Sequence, residues 1–232
     1  MVQLDECVGC PDKNPKRLKG NARVQAQLTL LQTWPVLWIL VAAYFSGSVP
    51  FGLLMGRMVT GKDVREEGSG NIGATNVARV VGKKLGLLTA FLDIFKGMLP
   101  MLIVKFWVPS SALAEHAFSL EAMTGGAAFC GHCFPVWLKF KGGKGVATGA
   151  GVTAVLLPGI FAIGAGVFAL TFAISRMVSL SAILGALTLA IAVFVQLELN
   201  AQLVPLFLML LILLFKHRGN VARILKKEEM RI

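Results

Sequence analysis

The chain has 232 residues, of which 56% are hydrophobic and only 15% charged, with a formal net charge of +11. A soluble domain typically carries about 25% charge, so this composition excludes an ordinary soluble enzyme. The basic excess by itself is compatible with nucleic acid, anionic lipid or an anionic substrate.

Taken in chain order, residues 1–33 are polar and hold Lys13, Lys16, Arg17, Lys19 and Arg23. They read as a disordered N-terminal extension ahead of a membrane-embedded domain over 34–232. The apolar block that follows, Trp34 to Gly56, contains no charge and is too long for the core of a signal peptide. Roughly 20 apolar residues cross the bilayer hydrocarbon. Comparable blocks run from Leu85 to Trp107, Ala117 to Leu138, Val146 to Ser175, Val178 to Leu197 and Ala201 to Phe215. So short a chain has too little polar sequence to cover that many buried helices in water.

Charge sets the expected topology. Arg57–Lys84 holds six Lys and Arg residues, Lys139–Lys144 three and Lys216–Ile232 six, whereas Val108–Leu120 and Leu197–Gln202 hold none. The first three segments are expected in the cytoplasm and the last two outside. This distribution accounts for the net charge without a nucleic-acid partner. One helix through Val146–Ser175 would break the alternation. Pro158-Gly159 lies near its middle, and proline there removes a backbone donor. Splitting the block restores the order and predicts an all-α integral membrane protein, a seven-transmembrane-helix bundle with short motif loops on its cytoplasmic side.

The chemistry is expected in those loops. In Gly68-Ser69-Gly70-Asn71-Ile72-Gly73-Ala74-Thr75-Asn76, closely followed by Arg79, the glycines let several backbone N–H groups turn toward one anion. Ser, Thr and Asn add donors. A helix starting near Thr75 would add its dipole. Gly68, Gly70 and Gly73 fit G-x-G-x-x-G, but the polar run Lys62–Glu67 stands where a dinucleotide fold needs a hydrophobic strand. Lys139-Phe140-Lys141-Gly142-Gly143-Lys144-Gly145 is no P-loop, because Leu138 and Gly145 occupy its defining positions, yet it offers three cations and exposed backbone. Lys216-His217-Arg218-Gly219-Asn220 with Arg223 forms a third cluster, and Arg176 with Ser179 and Ser181 a fourth. Thr89, Asp93 and Lys96 share one helix face. Ionisable groups in a span usually pair inside the bundle, so Asp93 and Lys96 read first as a structural pair and second as a support beneath the site.

Two C-x-x-C pairs, Cys7/Cys10 and Cys130/Cys133, have zinc-like spacing, but they are far apart in sequence. No carboxylate cluster offers a magnesium site, and neither H-E-x-x-H nor G-x-S-x-G occurs. Chemistry is therefore expected to rest on binding and positioning anions, with no metal and no cofactor.

Together these stretches resemble the bacterial membrane acyltransferases that move an acyl chain from acyl-phosphate to glycerol 3-phosphate. The matching motifs are Gly47-Ser48-Val49-Pro50-Phe51-Gly52 leading into Gly68–Asn76, then Gly131-His132 through Gly145-Val146-Ala147-Thr148, then His217-Arg218 through Arg223. The resemblance covers roughly residues 38–228. It implies a seven-helix bundle in the bacterial inner membrane with the site facing the cytoplasm. The implied partners are acyl-phosphate, glycerol 3-phosphate and membrane lipid, with neither coenzyme A nor metal required. Carried over by motif position, the catalytic residues fall on Ser69, Arg79, Lys144, His217 and Asn220. Substrate-binding positions fall on Gly68, Gly70, Asn71, Thr75, Asn76, Lys141, Gly142, Gly143 and Ser181. A transporter for a phosphate-bearing solute is the main rival, but transporters place their sites near the bilayer midplane, whereas these clusters gather at one edge.

Overall fold

A computed structural model describes residues 35–107, 117–197 and 201–232. The N-terminal segment before residue 35, with Cys7 and Cys10, lies outside the described residues, as do most of the two connections expected outside the membrane. Ile39–Ile232 forms one compact unit.

Among the described residues all regular structure is helical. A helix over residues 35–48 (α1) stops at Val49-Pro50 and resumes as α2, Phe51–Thr60. The first apolar block is thus interrupted where Pro50 lacks a backbone donor, and the helical path runs on to Thr60. The carbonyl of Val49 at this break is taken up by Lys96 Nζ at 2.8 Å. Then follow α3 (Ala74–Val80), α4 (Lys83–Trp107) and α5 (Ala117–Cys133). After the glycine–lysine loop come α6 (Val146–Leu156), α7 (Pro158–Ser175), α8 (Val178–Gln196), α9 (Val204–Lys216) and α10 (Arg218–Leu225). The long fifth block divides at Leu157, and Pro158 takes the first position of α7, where its missing N–H matters least.

Among the described residues, four helical segments are long and apolar enough to cross a membrane: Pro35–Thr60, Lys83–Trp107, Pro158–Ser175 and Val178–Gln196. The pair α9–α10, bent by 49°, makes a fifth if read as one broken span. At 1.5 Å per residue the 11-residue α6 covers only about 16 Å, well short of the hydrocarbon thickness.

The core joins Met101 of α4, Phe129 and Cys133 of α5, Val152 of α6 and Met209 of α9. α1 and α5 cross at very close range, because Gly47 lies on the backbone of Ala128 and Gly131 on that of Tyr44; a methyl group at either glycine would collide with main chain. Such contact is how membrane helices gain packing without a hydrophobic drive. Outward-facing Leu87, Phe91, Ile103, Phe106, Leu170 and Ile191 are strongly exposed. That apolar girdle is a liability in water and the expected surface toward lipid.

Candidate active site

The loop Gly61–Gly73 is built around one buried amide. Asn76 accepts the Ser69 N–H (2.7 Å) and hydroxyl (3.1 Å) on Oδ1, and donates Nδ2 to the carbonyls of Val64 (2.7 Å) and Glu67 (3.2 Å). Gly68 and Gly70, at φ +62° and +67°, make the left-handed turns that bring Ser69 over it. Asn71 accepts the Gly73 N–H at 2.8 Å, and α3 begins at Ala74, one residue ahead of the start expected near Thr75. Outside this turn, Asp63 clasps Arg57 (3.0 Å) and Arg65. The Arg65 bond first, with help from Arg57, holds the Asp63 carboxyl well below its usual range.

The glycine–lysine loop hangs from the end of α5. The Gly142 and Gly143 N–H groups donate to the carbonyls of Cys133 (3.3 Å) and His132 (3.1 Å). Lys216 Nζ also reaches the Cys133 carbonyl (2.6 Å) and stacks on the Phe134 ring. Gly145, at φ +81°, then opens α6, whose first turn adds partial positive charge beside Lys144. Lys144 Nζ donates to Asn220 Oδ1 at 2.6 Å. Burial, opposed by Glu229 and reinforced by Arg223 and Arg79, pulls its pKa down to about 8.

The third cluster closes the ring. His217 Nδ1 donates to the Leu213 carbonyl at 2.9 Å, which leaves Nε2 as the acceptor nitrogen. Asn220 Nδ2 donates to Glu229 Oε1 (2.6 Å), which also accepts Ser179 Oγ (2.7 Å), while Arg223 Nε binds Glu229 Oε2 (2.8 Å). Burial raises the Glu229 carboxyl, but the bonds from Ser179, Asn220 and Arg223 outweigh it and hold the group below its ordinary value. The tail is tied further by Arg79 donating to the Met230 carbonyl (3.3 Å) and by the Ile232 N–H donating to the Arg176 carbonyl (3.0 Å).

These three clusters line one cavity of about 550 Å³. Its polar end carries Ser69, Asn71, Thr75, Asn76, Arg79, Lys144, His217, Asn220, Arg223 and Glu229. Away from that end the lining is mainly apolar, with walls from Leu157 and Phe161 near the α6–α7 break, from Gly185, Leu189 and Val193 of α8, and from Leu206 of α9. Of the positions singled out in the sequence, Gly68 and Gly70 shape the first loop without lining the cavity. Lys141 and Gly142 face a separate shallow recess with Asp63, Arg65 and Lys216. Gly143 rests on the His132 ring. Ser181 is buried and bonds back to the Met177 carbonyl (2.8 Å), and it is Ser179 that reaches the cavity wall. Sequence reasoning does not place Glu229 in the site or His132 on its wall, and it gives Asp93, which lines the cavity, only second as a support beneath the site. The motif Gly131-His132 holds a signal for His132; Glu229 sits in a run of basic residues and gives none.

In this helical membrane protein one cavity joins a cationic, donor-rich end to an apolar interior, a pairing that suits an amphiphile with an anionic head. The family model described as glycerol-3-phosphate acyltransferase matches residues 37–227. Glycerol-3-phosphate acyltransferase of Anaeromyxobacter dehalogenans (strain 2CP-C) is 43% identical over 196 residues, covering 84% of this chain and 96% of that protein. The enzyme of the same name from Trichlorobacter lovleyi is 44% identical over 193 residues, covering 83% and 94%. The crystal structure of PlsY, an integral membrane glycerol 3-phosphate acyltransferase, in its glycerol 3-phosphate form superposes with TM-score 0.76 at 35% identity, covering 85% of this chain and 96% of that one. Its lysophosphatidic acid form gives 0.73 at 33% identity, covering 85% and 95%. The chain belongs to the glycerol-3-phosphate acyltransferase family and has its integral membrane fold.

Proposed function

We propose that this protein transfers a fatty acyl group from acyl-phosphate to the 1-hydroxyl of glycerol 3-phosphate. The products are lysophosphatidic acid and phosphate, and the reaction is the first step of phospholipid synthesis. The observation that carries this reading is the joining of one cationic mouth to one apolar cavity, since both substrates are anions and one has a long tail. Arg79, Lys144 and Arg223, with the N–H groups at the start of α6, supply the positive charge needed to hold two phosphates near each other. Ser69, Asn71, Thr75, His217 and Asn220 supply directed hydrogen bonds around them. Gly68, Gly70 and Asn76 hold Ser69 in place, and Gly142 and Gly143 hang the Lys144 loop from α5.

Acyl-phosphate is a mixed anhydride and already activated. Orientation of the hydroxyl against the acyl carbon then supplies much of the rate, roughly 7–11 kcal/mol in favourable cases. Lys144 and Arg79 stabilise the charge that develops on the oxygens. The acyl tail lies along α8, where Ser179, Ala182, Gly185, Ala186, Leu189 and Val193 face the cavity at helical spacing. From Ser179 to Val193 that face is about 21 Å long at 1.5 Å per residue, the scale of a common fatty acyl chain. Purified protein given acyl-phosphate and glycerol 3-phosphate is expected to release lysophosphatidic acid and inorganic phosphate in equal amounts. It is expected to do so with a chelator present and not with acyl-coenzyme A. Dependence on added magnesium or zinc, or use of the thioester donor, would overturn the reading.

The same reading places the protein in the bacterial inner membrane with seven crossings and the motif loops in the cytoplasm, on the strength of the Lys and Arg distribution. Single cysteines at Ser69, Lys141 and Asn220 are therefore expected to resist an impermeant thiol reagent in spheroplasts and to react after lysis. Labelling of any one from outside would refute that orientation.

A further inference from the structure

The glycine–lysine loop presents its cations in two directions. Lys144 lines the cavity, whereas Lys141, three residues earlier, lines a separate open recess that acyl transfer leaves without a role. Arg65 reaches that recess from the first loop and Lys216 from the end of α9. Two carboxylates stand beside them, Asp63 and Glu66. Asp63 is already taken by Arg57 and Arg65, and Glu66 is exposed. An ammonium has three donors, and Lys216 gives one to the Cys133 carbonyl at 2.6 Å while resting on the Phe134 ring. Glu66 alone against Lys139, Lys141 and Lys216 leaves the surroundings cationic.

The turn that carries Lys141 has an unusual backbone. After the short helical turn Val136–Leu138, Lys139 and Phe140 both stand at positive φ, +51° and +62°. Left-handed backbone is costly at residues other than glycine, and more so at a bulky one. Three main-chain bonds hold it: Lys139 N–H donates to the Val136 carbonyl (3.2 Å), Phe140 N–H to Pro135 (3.0 Å) and Lys141 N–H to Leu138 (3.0 Å). The result is that Trp137 and Phe140 project at 60% and 59% exposure, interleaved with the exposed Lys139 and Lys141.

One contact decides what that display meets. Trp137 lies against Phe45 of α1, with ring centroids 5.7 Å apart. Phe45 is itself exposed on the span Pro35–Thr60. Trp137 therefore continues the lipid-facing surface of α1, at the level where tryptophan rings and lysines gather beside the headgroups. The recess next to Phe140 opens at that level. A soluble acidic partner fits it less well, because it would have to cover two aromatic rings that are turned to the bilayer.

We propose that this recess seats the headgroup of one anionic phospholipid, with its phosphate between Lys141 and Lys216 and Arg65 at the rim. Its acyl chains lie outside the bundle, along Phe140, Trp137 and Phe45. The site is separate from the cavity that holds Lys144. Its excess of positive charge selects an anionic lipid over a zwitterionic one, as basic pockets at the edge of helical bundles do. Lipid held there steadies the loop that presents Lys144 from its outer side.

The test counts bound lipid by native mass spectrometry on protein purified in a neutral detergent. Phosphatidylglycerol and phosphatidylethanolamine with the same acyl chains are titrated separately. One phosphatidylglycerol per chain is expected to bind saturably and more tightly than phosphatidylethanolamine. Lys139→Gln/Lys141→Gln is expected to weaken its binding about 10-fold; both lysines are exposed, so the fold does not depend on them. Lys226→Gln/Lys227→Gln removes the same charge from an exposed part of the tail and is expected to change binding less than about 2-fold. Lys144→Ala should bind as wild type does. Equal binding of the two lipids, or equal losses from the two lysine pairs, would reduce the site to diffuse attraction and overturn the proposal. Loss of binding in Lys144→Ala would put the lipid in the substrate cavity, and displacement by inorganic phosphate would make the recess a small-anion site; either outcome overturns it as well. Binding is read without turnover, so failure here leaves the acyl-transfer reading where it stands.

Discussion

Replacing Lys144 with alanine is expected to lower turnover about 10²–10³-fold while the protein still inserts and folds, and Lys139→Ala is expected to change it little. The two lysines contribute equally to the positive charge that sets topology. They differ in where the charge is held. Lys139 is exposed at the left-handed end of the Val136–Leu138 turn and does not line the cavity. Lys144 lines it, bonded to Asn220 and largely out of water, where a charge-assisted bond is worth several times one at a wet surface. Its pKa of about 8 adds a pH signature. The depressed value means the ammonium is present below pH 8 and is lost as pH rises through it. KM for a phosphate-bearing substrate is therefore expected to climb on the alkaline side in wild type. Lys144→Arg keeps its charge there and should flatten that limb, though its planar fork will not reproduce the lysine's geometry. Equal, mild effects of the two alanine substitutions in steady-state assays would mean that both lysines are anchors.

Much of this site is legible in the sequence, for physical reasons. Glycine density in Gly68–Gly73 marks a backbone turn whatever surrounds it, and α3 begins within a residue of the expected start. Pro158 marks a helix break because a missing donor is a local fact. Other features depend on contacts distant in sequence and cannot be read this way. Pro50 is compatible with one continuous span as far as composition goes, and what stabilises its break is Lys96 on another helix. Asp93 and Lys96 pair by their spacing on one helix face, but His132 reaches the same carboxylate from a neighbouring helix, which no periodicity reveals. Ser179 and Ser181 are indistinguishable in sequence. Two residues along a helix point in very different directions, and only packing decides which of them faces the cavity. The cluster from Lys216 to Arg223 is visible as charge, but composition does not show where the chain beyond it turns back.

Glu229 is where that turn has its largest expected consequence. Its side chain is 4% exposed and accepts from Ser179, Asn220 and Arg223, joining the tail, α8 and α10 through one carboxylate. Glu229→Ala leaves a partly buried guanidinium without its anion. Because the Arg223 side chain keeps 38% of its surface in water, solvent screening holds the cost below the about 3–5 kcal/mol of a fully buried pair, and a fall of roughly 5 °C in unfolding temperature is expected for a chain of this size. Activity should fall as well, because Glu229 fixes which way the Asn220 amide faces. With Nδ2 held by the carboxylate, Oδ1 is turned to Lys144; without it the amide can rotate and present a donor to the ammonium. Glu229→Gln is not a mild change either, since its own NH₂ would face either Arg223 or Asn220, both donors. Removing Arg223 in the same chain takes away the stranded charge. The double variant Glu229→Ala/Arg223→Ala is thus expected to be clearly less destabilised than the sum of the two single changes, a coupling that a thermal-unfolding cycle in detergent measures directly. Simple additivity would show that the pair contributes nothing specific, and that the tail is held by its backbone contacts to Arg79 and Arg176 alone.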